Sequence, residues 1–466
     1  MPILIGEKGK KVGYVIFLFL ILVFLGLRFF YIEADFPQDI TRSGALYTDE
    51  GWYSNGAVAF ALSGNWYIPG DFNPSVNLPV VSLIQTAVFS VFGASLDTAR
   101  MTVAVSFCLP VFLVYFLVRH FSDRVTAGLV AGLLSTNYIL FSFSRLAILD
   151  IPALTIALSA ITVTAINPKG KSRTFFALST LLFAVALLAK SAVLILFPVY
   201  LLTLVTGKGW SLKEKLIYGF TALIIVGVLV GGYNYYARSI FPEDYRLFTQ
   251  LNFSGRISRD LSTIAGDLVG GAKRVLRLEP ALVLLSFIFS WRQWRRSPDF
   301  RRDPLVRISV LWVVGHLIVM SMTSYHPPRY FIALSIPMTI LLVQVGMDLR
   351  KKASGSVRTL LPLIMIFLLV GWNGYRVVDY MVKPFYSLHF MCEDVNRIIS
   401  EDRTAGGSSV LIGHMANTVG LATGLPTINS LYGTQSLSWK MAEYAPQHYI
   451  SLGEEEAKKI WKRTLG

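Results

Sequence analysis

The stretch Tyr47-Thr48-Asp49-Glu50-Gly51-Trp52-Tyr53 places two adjacent acids shortly after the first long apolar run, residues 13–31. A further acid, Asp150, lies in Arg145-Leu-Ala-Ile-Leu-Asp150-Ile-Pro152, at the mouth of a later apolar run. Acids in or beside a membrane span are energetically expensive and usually mark a functional site. Whether these acids can meet depends on how the chain threads the membrane.

The composition is that of a membrane protein. Of the 466 residues, 54% are hydrophobic and only 15% are charged, which excludes an ordinary soluble domain and a disordered chain. Apolar runs of 18 residues or more recur, so the fold class is a polytopic α-helical membrane protein. The net charge of +15 comes from short basic loops without interleaved aromatic residues, and this pattern does not indicate nucleic-acid binding.

The order of apolar segments and basic loops predicts the topology. Apolar segments lie at 14–31, 78–93, 98–118, 125–143, 151–167, 174–189, 192–206, 216–236, 279–291, 305–322, 330–348 and 356–373. The basic loops are 119–124, 168–173, 208–215, 292–307 and 350–358. The positive-inside rule asks all these loops, and the N-terminus, to be cytoplasmic. That requires the segment 78–93, roughly 16 residues against the ~20 that a span needs, to lie flat on the outer leaflet.

This choice leaves about eleven spans, with the N-terminus cytoplasmic and the C-terminus outside. The extracytoplasmic segments are then 32–97, 144–150, 190–191, 237–278, 323–329 and 374–466. The alternative lets 78–93 cross and keeps 192–206 from crossing, but it scatters the basic loops over both faces. We therefore predict a multi-pass protein of the plasma membrane whose candidate site faces outward.

Two domains are expected. Residues 1–373 form the transmembrane domain, with a first outer loop over 32–97, and residues 374–466 form a small extracytoplasmic α/β domain. Within it the sequence predicts strands over 408–413 and 447–452 and a charged helix over 454–463.

Each candidate acid has a functional and a structural interpretation. Asp49 and Glu50 precede a predicted helix over 51–62 and could be catalytic, or could complement the positive end of that helix. Asp150 lies among apolar residues and is a functional candidate by position. Pro152 in the same turn also makes it a good helix start.

Two basic positions on the predicted outer side oppose the charge rule. Lys190 breaks two apolar runs and could neutralise a phosphate, or its ammonium could reach the outer headgroups. Arg329 follows Tyr325 and His326 in Ser324-Tyr-His-Pro-Pro-Arg-Tyr330, where a planar guanidinium suits a phosphate or carboxylate. An ordinary proline-rich loop is the alternative. The sequence contains no P-loop, no dinucleotide fingerprint and no zinc-ligand spacing.

Taken in order, these features resemble the GT-C superfamily of integral-membrane glycosyltransferases. The resemblance is nearest to the branch with protein O-mannosyltransferases and lipid A aminoarabinose transferases. The matching features are Asp49-Glu50, Ser63-Gly-Asn-Trp-Tyr-Ile-Pro69, a Pro-led helix ending at Phe92-Gly93, Arg100, Ser144-Arg145-Leu-Ala-Ile-Leu-Asp150 and Pro328-Arg329-Tyr330. Many relatives carry Lys-Pro where this chain reads Asn77-Leu78-Pro79, which leaves the acceptor open.

The resemblance implies a polyprenyl-phosphate-linked sugar as donor and transfer with inversion to a lipid, glycan or protein acceptor at the outer face of the membrane. It implies that Asp49, with Glu50, lies at the reaction centre. We expect Asp150 as a third catalytic acid, and the expected substrate-binding residues are Arg145, Lys190, Tyr325, His326, Arg329 and Tyr330. No cofactor is expected to be required, although three converging acids could hold a divalent metal. A transporter or flippase of a lipid-linked or anionic solute is the alternative function.

Overall fold

The structure is a computed structural model that describes residues 7–41, 43, 46, 48–167, 172–206, 210–252, 260–352, 360–404 and 409–451. Helices up to the middle of the chain are α1 (Glu7–Gly26), α2 (Asp49–Ser63), α3 (Pro79–Phe92), α4 (Leu96–Phe121), α5 (Arg124–Thr136), α6 (Tyr138–Phe143), α7 (Asp150–Ile166), α8 (Arg173–Ala189), α9 (Phe197–Thr206) and α10 (Leu212–Ile240). Those that follow are α11 (Pro242–Asn252), α12 (Leu261–Leu278), α13 (Pro280–Arg296), α14 (Pro298–Arg302), α15 (Pro304–Ser321), α16 (Ser335–Lys352), α17 (Leu360–Val382), α18 (Ser387–Thr404), α19 (Ala416–Thr423) and α20 (Leu437–Tyr444). Short 3₁₀ helices cover Leu27–Phe29, Pro74–Val76, Ser191–Leu196 and Pro328–Leu334.

Within the described ranges, four helical segments are long and apolar enough to cross a membrane. They are Leu96–Phe121, Leu212–Ile240, Pro304–Ser321 and Pro328–Arg350. Shorter apolar helices accompany them, among them α3, which has 14 residues. The polytopic helical fold class is confirmed, whereas the number of about eleven spans and their orientation stay predictions.

Polar side chains fix where several of these helices begin. Ser95, Asp123, Ser211 and Asp303 each accept hydrogen bonds from backbone N–H groups of the first turn that follows. These N–H groups have no partner within the helix, so such caps stabilise the helix start. The boundaries between apolar runs in the sequence are therefore also structural boundaries.

Helix α7 lies at the centre of the bundle. Ala153, Ala157 and Ala160 are fully buried, and the helix packs against α4 and α8. Small residues let helix backbones approach closely, which is how helices associate where lipid removes the hydrophobic driving force. The first turn of α7 carries Asp150, so a largely buried helix fixes the position of this acid.

The C-terminal region contains a three-stranded parallel sheet of order β2-β1-β3, with β1 at Leu411–Gly413, β2 at Thr427–Asn429 and β3 at His448–Ile450. Strands β1 and β3 fall inside the two predicted stretches, and β2 was not predicted. Residues 408 and 452, and the helix predicted over 454–463, lie outside the described residues. Helix α17 runs past residue 373 to Val382, and the domain boundary at 373 stays a prediction.

The C-terminal region is packed directly onto α2, α3 and the start of α4. Ala57 of α2, Phe89 of α3 and Leu96 of α4 share one buried apolar cluster with Val419 and Leu421 of α19. A common core of this kind is stabilised by burial of apolar area from both sides. The region therefore supports the helix that begins with Asp49.

Candidate active site

Two buried ion pairs lie together where four elements begin or end. Nη2 of Arg329 lies 2.8 Å from Oδ2 of Asp49, and Nζ of Lys190 lies 2.6 Å from Oδ1 of Asp150. Lys190 also lies over the ring of Tyr330, 4.8 Å from its centroid. We call Asp49, Arg329, Asp150 and Lys190 the ion-pair cluster. The sequence predicted these four residues for one face, and the structure brings them together.

Local structure explains why each member of the cluster is held in place. Asp49 and Asp150 occupy the first turns of α2 and α7, where the helix dipole favours a negative charge. Lys190 ends α8, directly before a 3₁₀ helix, and Arg329 lies in the first turn of another. Charged side chains at element ends can face a common space while their helices stay packed.

The cluster borders a small cavity of about 50 Å³. Asp150, Lys190 and Arg329 line its polar part, and most of the remaining wall is apolar, including Leu154, Val193, Leu196 and Ile332. A concave, mostly apolar space with a few convergent polar groups is the usual form of a small-molecule site.

One carboxylate oxygen of Asp49 remains able to accept a hydrogen bond. Although Arg329 is within ion-pair distance, Oδ2 of Asp49 has no aligned hydrogen-bond donor in the part of the chain that the structure describes. Burial raises the pKa of the Asp49 carboxyl above its usual range, and the nearby positive charges of Arg329 and Lys190 oppose that rise. A buried carboxylate with a raised pKa is better suited to accept a proton than an exposed one.

Glu50 differs from Asp49 in that its oxygens are already occupied. Arg100 donates from Nε to Oε1 at 2.8 Å and from Nη2 to Oε2 at 2.7 Å, and the N–H of Ala147 donates to Oε1 at 2.7 Å. Arg100 also donates to the carbonyls of Ile32 and Ala34. Glu50 therefore links α2 to α4 and to the segment before Asp150, and its predicted catalytic role stays a prediction.

Three of the expected substrate-binding residues also have structural contacts. Arg145 donates to the carbonyls of Phe30 and Tyr31. Nε2 of His326 lies 2.7 Å from the carbonyl oxygen of Met320, to which it can donate. The hydroxyl of Tyr325 lies 3.5 Å from Nη2 of Arg329. Tyr325 thus contacts the cluster directly, while Arg145 and His326 hold the chain segments around it; their roles in substrate binding stay predictions.

Helix α19 of the C-terminal region presses against the turn that carries Asp49. The N–H of Gly51 donates to Oγ1 of Thr418 at 3.2 Å, and Trp52 donates from its indole to the carbonyl of His414 at 3.4 Å. A Cβ on Gly51 would lie 2.1 Å from the backbone nitrogen of Thr418. Only glycine permits this approach, because real Cβ atoms do not come so close to a backbone atom.

We expect Gly51→Ala to separate α2 from α19 and to lower the thermal midpoint of unfolding in detergent. Overpacking of this kind costs about 1–3 kcal/mol, and the shift should carry Asp49 away from Arg329 and reduce activity. Gly219→Ala is the matched control, because a Cβ at Gly219 meets nothing within 4 Å. A Gly51→Ala variant as stable and active as the wild type would contradict this contact.

The residues present offer little to a metal ion. The described part of the chain contains no group of three or more His, Cys, Asp or Glu side chains that could hold one. Glu50 is engaged by Arg100, and Asp49 and Asp150 each have a cation as partner. Each of the three acids that the sequence offered to a metal thus has a basic side chain as partner, and metal independence stays a prediction.

Sequence reasoning missed two parts of this site. It did not single out His316 of α15, which lines the cavity, although a lone histidine in an apolar run is a recognisable signal. It also gave no partner for Trp52, which packs edge-on against His414 and Tyr432 of the C-terminal region. No local pattern in the sequence could have revealed that long-range contact.

The arrangement defines a class: a polytopic helical membrane protein with a charged, partly apolar cavity lined by α7, α15 and the segments 190–196 and 329–333. Comparison with known proteins makes the class more specific. The Dolichyl-phosphate-mannose-protein mannosyltransferase family matches residues 74–231. A search of curated protein sequences gave no significant match.

Solved structures with the same fold are distant in sequence. ArnT from Cupriavidus metallidurans bound to undecaprenyl phosphate is 14% identical, with a TM-score of 0.58 over 98% of this chain and 92% of that one. AglB, an oligosaccharyltransferase from Archaeoglobus fulgidus, was solved with an inhibitory peptide and a dolichol-phosphate; it is 12% identical, with a TM-score of 0.51 over 96% of this chain and 68% of that one. The Archaeoglobus fulgidus oligosaccharyltransferase in complex with Zn and sulfate matches with the same identity and TM-score, over 89% and 62%.

The chain therefore has the fold of the GT-C superfamily of integral-membrane glycosyltransferases, in its ArnT-like form. This confirms the resemblance drawn from Asp49-Glu50 and the segments after it.

Proposed function

We propose that the protein is a glycosyltransferase that moves a sugar from a polyprenyl-phosphate donor to a hydroxyl or amine of a lipid, glycan or protein acceptor, with inversion at the sugar carbon. The observation that carries the proposal is the ion-pair cluster beside a mostly apolar cavity. A structural neighbour was solved with undecaprenyl phosphate bound, and this ligand has the matching chemistry of an anionic head on an apolar chain.

The negative charge of the leaving group accounts for the two cations at the site. When the bond between the anomeric carbon and the phosphate oxygen breaks, its electron pair stays on the phosphate, which needs no proton. Arg329 and Lys190 would hold that charge; a guanidinium pairs well with phosphate oxygens. Preorganised positive groups at the site where charge develops lower the barrier more than groups that must reorient.

The two carboxylates of the cluster would have different tasks. Asp49 would accept the proton of the acceptor as the acceptor oxygen or nitrogen bonds to the anomeric carbon. Asp150, held by Lys190, would orient the donor sugar or the acceptor. Both negative charges would also stabilise the positive character that a sugar carbon develops in such a transition state.

The reaction needs no metal in this proposal, because Arg329 and Lys190 supply the positive charge that a divalent ion would otherwise bring to the phosphate. The site would face outward in the plasma membrane, with the N-terminus cytoplasmic, as the basic loops predict. The C-terminal region that contacts α2 would then be extracytoplasmic.

The donor class is tested with purified protein in vesicles. The same radiolabelled sugar is offered on a polyprenyl phosphate and on a nucleoside diphosphate, with a mixture of candidate acceptors. The proposal requires label in the acceptor fraction only with the lipid donor. Transfer from the nucleotide sugar alone would overturn the donor assignment.

The pH dependence follows from the environment of Asp49. A general base works only when deprotonated, so kcat/KM should fall as the pH drops through the pKa of Asp49. Since burial raises this pKa, the fall should begin at a higher pH than an ordinary aspartate would give. Removing a nearby positive charge by Arg329→Gln should raise the pKa further and move the acidic limb to higher pH.

Arg376→Gln is the control for this profile, since Arg376 pairs with the half-exposed Asp39 instead. Its acidic limb should coincide with that of the wild type. If the acidic limb of the pH profile lies at the same pH in Arg329→Gln as in the wild type, Asp49 is not the titrating base.

A further inference from the structure

One buried polar side chain at the cavity has no partner. His316 of α15 is 2% exposed, and neither of its ring nitrogens has a hydrogen-bond partner among the described residues. The main chain of Tyr330 comes near the ring without an aligned hydrogen bond. Leaving a buried polar atom unpaired is unfavourable, so such groups usually have a partner that is not part of the chain.

The surroundings of His316 are those of the ion-pair cluster. It lines the same cavity as Asp150, Lys190 and Arg329. These three residues have ionic partners in the chain, whereas His316 has none among the residues that the structure describes. An ionisable side chain within an apolar, span-length helix such as α15 is a candidate for substrate contact by its position alone.

The residues that line the cavity indicate which class of ligand it binds. A sugar ring would need several hydrogen-bonding groups, but the wall around His316 is formed largely by apolar side chains such as Met320, Ile332 and Leu196. A prenyl phosphate needs an apolar wall for its first isoprene units and hydrogen-bond donors for its head. A neutral imidazole has one N–H donor, and the neighbouring cations Lys190 and Arg329 favour an anion at that point.

We propose that His316 donates a ring N–H to a phosphate oxygen of a prenyl-phosphate lipid in this cavity, as a third phosphate-binding residue beside Lys190 and Arg329. This rests on the proposed function for the donor class, and it adds a residue on α15 to the substrate contacts. No proton transfer is assigned to His316; the donor N–H only holds the leaving group.

The test measures binding, without any transfer reaction. The affinities of the full-length protein for undecaprenyl phosphate and for the uncharged alcohol of the same chain are measured by titration in detergent. The ratio of the two affinities reports recognition of the phosphate, whereas a loss of cavity shape alters both affinities. Three variants are compared: His316→Leu, His316→Gln, which keeps an N–H donor, and Trp312→Phe.

We expect His316→Leu to lower the ratio about tenfold or more, the effect of one hydrogen bond to a charged group. His316→Gln should retain most of the ratio. Trp312→Phe is the matched control: Trp312 lies one turn earlier on α15, and its buried indole nitrogen also lacks a hydrogen-bond partner in the described part of the chain. Its ratio should equal that of the wild type.

An unchanged ratio in His316→Leu overturns the inference, and so does an equal loss for both lipids. If the wild-type protein does not bind undecaprenyl phosphate more tightly than the alcohol, the result overturns the donor class in the proposed function. That outcome is distinct from a failure of the role of His316 alone. Titration with inorganic phosphate separates the source of the ligand. If His316→Leu weakens the binding of the lipid phosphate alone, the ligand is a lipid. If it weakens the binding of both the lipid phosphate and inorganic phosphate, His316 recognises phosphate in general.

Discussion

Asp49→Asn is expected to reduce sugar transfer by about 10²–10⁴-fold, the usual contribution of a general base. The amide is nearly the same size as the carboxylate but cannot accept the proton of the acceptor. Binding of the lipid donor should change much less, because Arg329 and Lys190 remain. The expected signature is therefore a fall in kcat at nearly constant donor affinity, measured with a saturating acceptor.

Asp97→Asn is the control for a lost carboxylate. Asp97 also lies in the first turn of a helix, α4, but it lines a different cavity, with Glu33 and His389. Its variant should transfer sugar at the wild-type rate. An Asp49→Asn protein that is folded, binds donor and keeps the wild-type rate would remove Asp49 from the reaction.

Arg100→Met should have the largest effect on stability. Arg100 and Glu50 are both buried, with side-chain exposures of 2% and 0%, and Arg100 also binds two backbone carbonyls. Removing one member of a buried ion pair leaves an uncompensated charge and costs about 3–5 kcal/mol. The thermal midpoint in detergent should fall strongly, and activity should fall with it because α2 is no longer held beside α4.

The double variant Arg100→Met/Glu50→Gln separates positioning from chemistry. Without the glutamate charge, much of the lost stability should return, since a neutral pair avoids the buried charge. If the double variant recovers stability and measurable transfer, Glu50 has a positioning role. If stability recovers and transfer stays absent while donor binding is normal, Glu50 takes part in the reaction.

The charge pattern of the sequence was sufficient to predict that the four residues of the ion-pair cluster lie on one face of the membrane. Basic loops constrained the topology, and laying 78–93 flat put Asp49 and Asp150 on one face with Lys190 and Arg329. These residues interrupt or border apolar runs, and such interruptions are visible in the sequence. For this reason the four residues could be assigned to one site although they are far apart in sequence, whereas their pairing was not predicted.

The different contacts of Asp49 and Glu50 could not be predicted from the sequence. The two acids are adjacent and chemically alike, and only the structure gives Glu50 to Arg100 and Ala147. The contact between the C-terminal region and α2 could not be predicted from the sequence, for a related reason. Strand β2 has three residues, too few for a period-two pattern, and the closeness of Gly51 to Thr418 depends on packing between distant segments.

The fate of the bond between sugar and phosphate tests the central claim most directly. Wild-type protein in vesicles is given a polyprenyl-phosphate sugar labelled in both the sugar and the lipid, and products are separated on each side of the bilayer. The account predicts sugar label on the acceptor with an equal amount of free polyprenyl phosphate, and neither product with Asp49→Asn. Doubly labelled lipid that crosses the bilayer with its sugar still attached, and no free polyprenyl phosphate, would contradict it and favour a transporter.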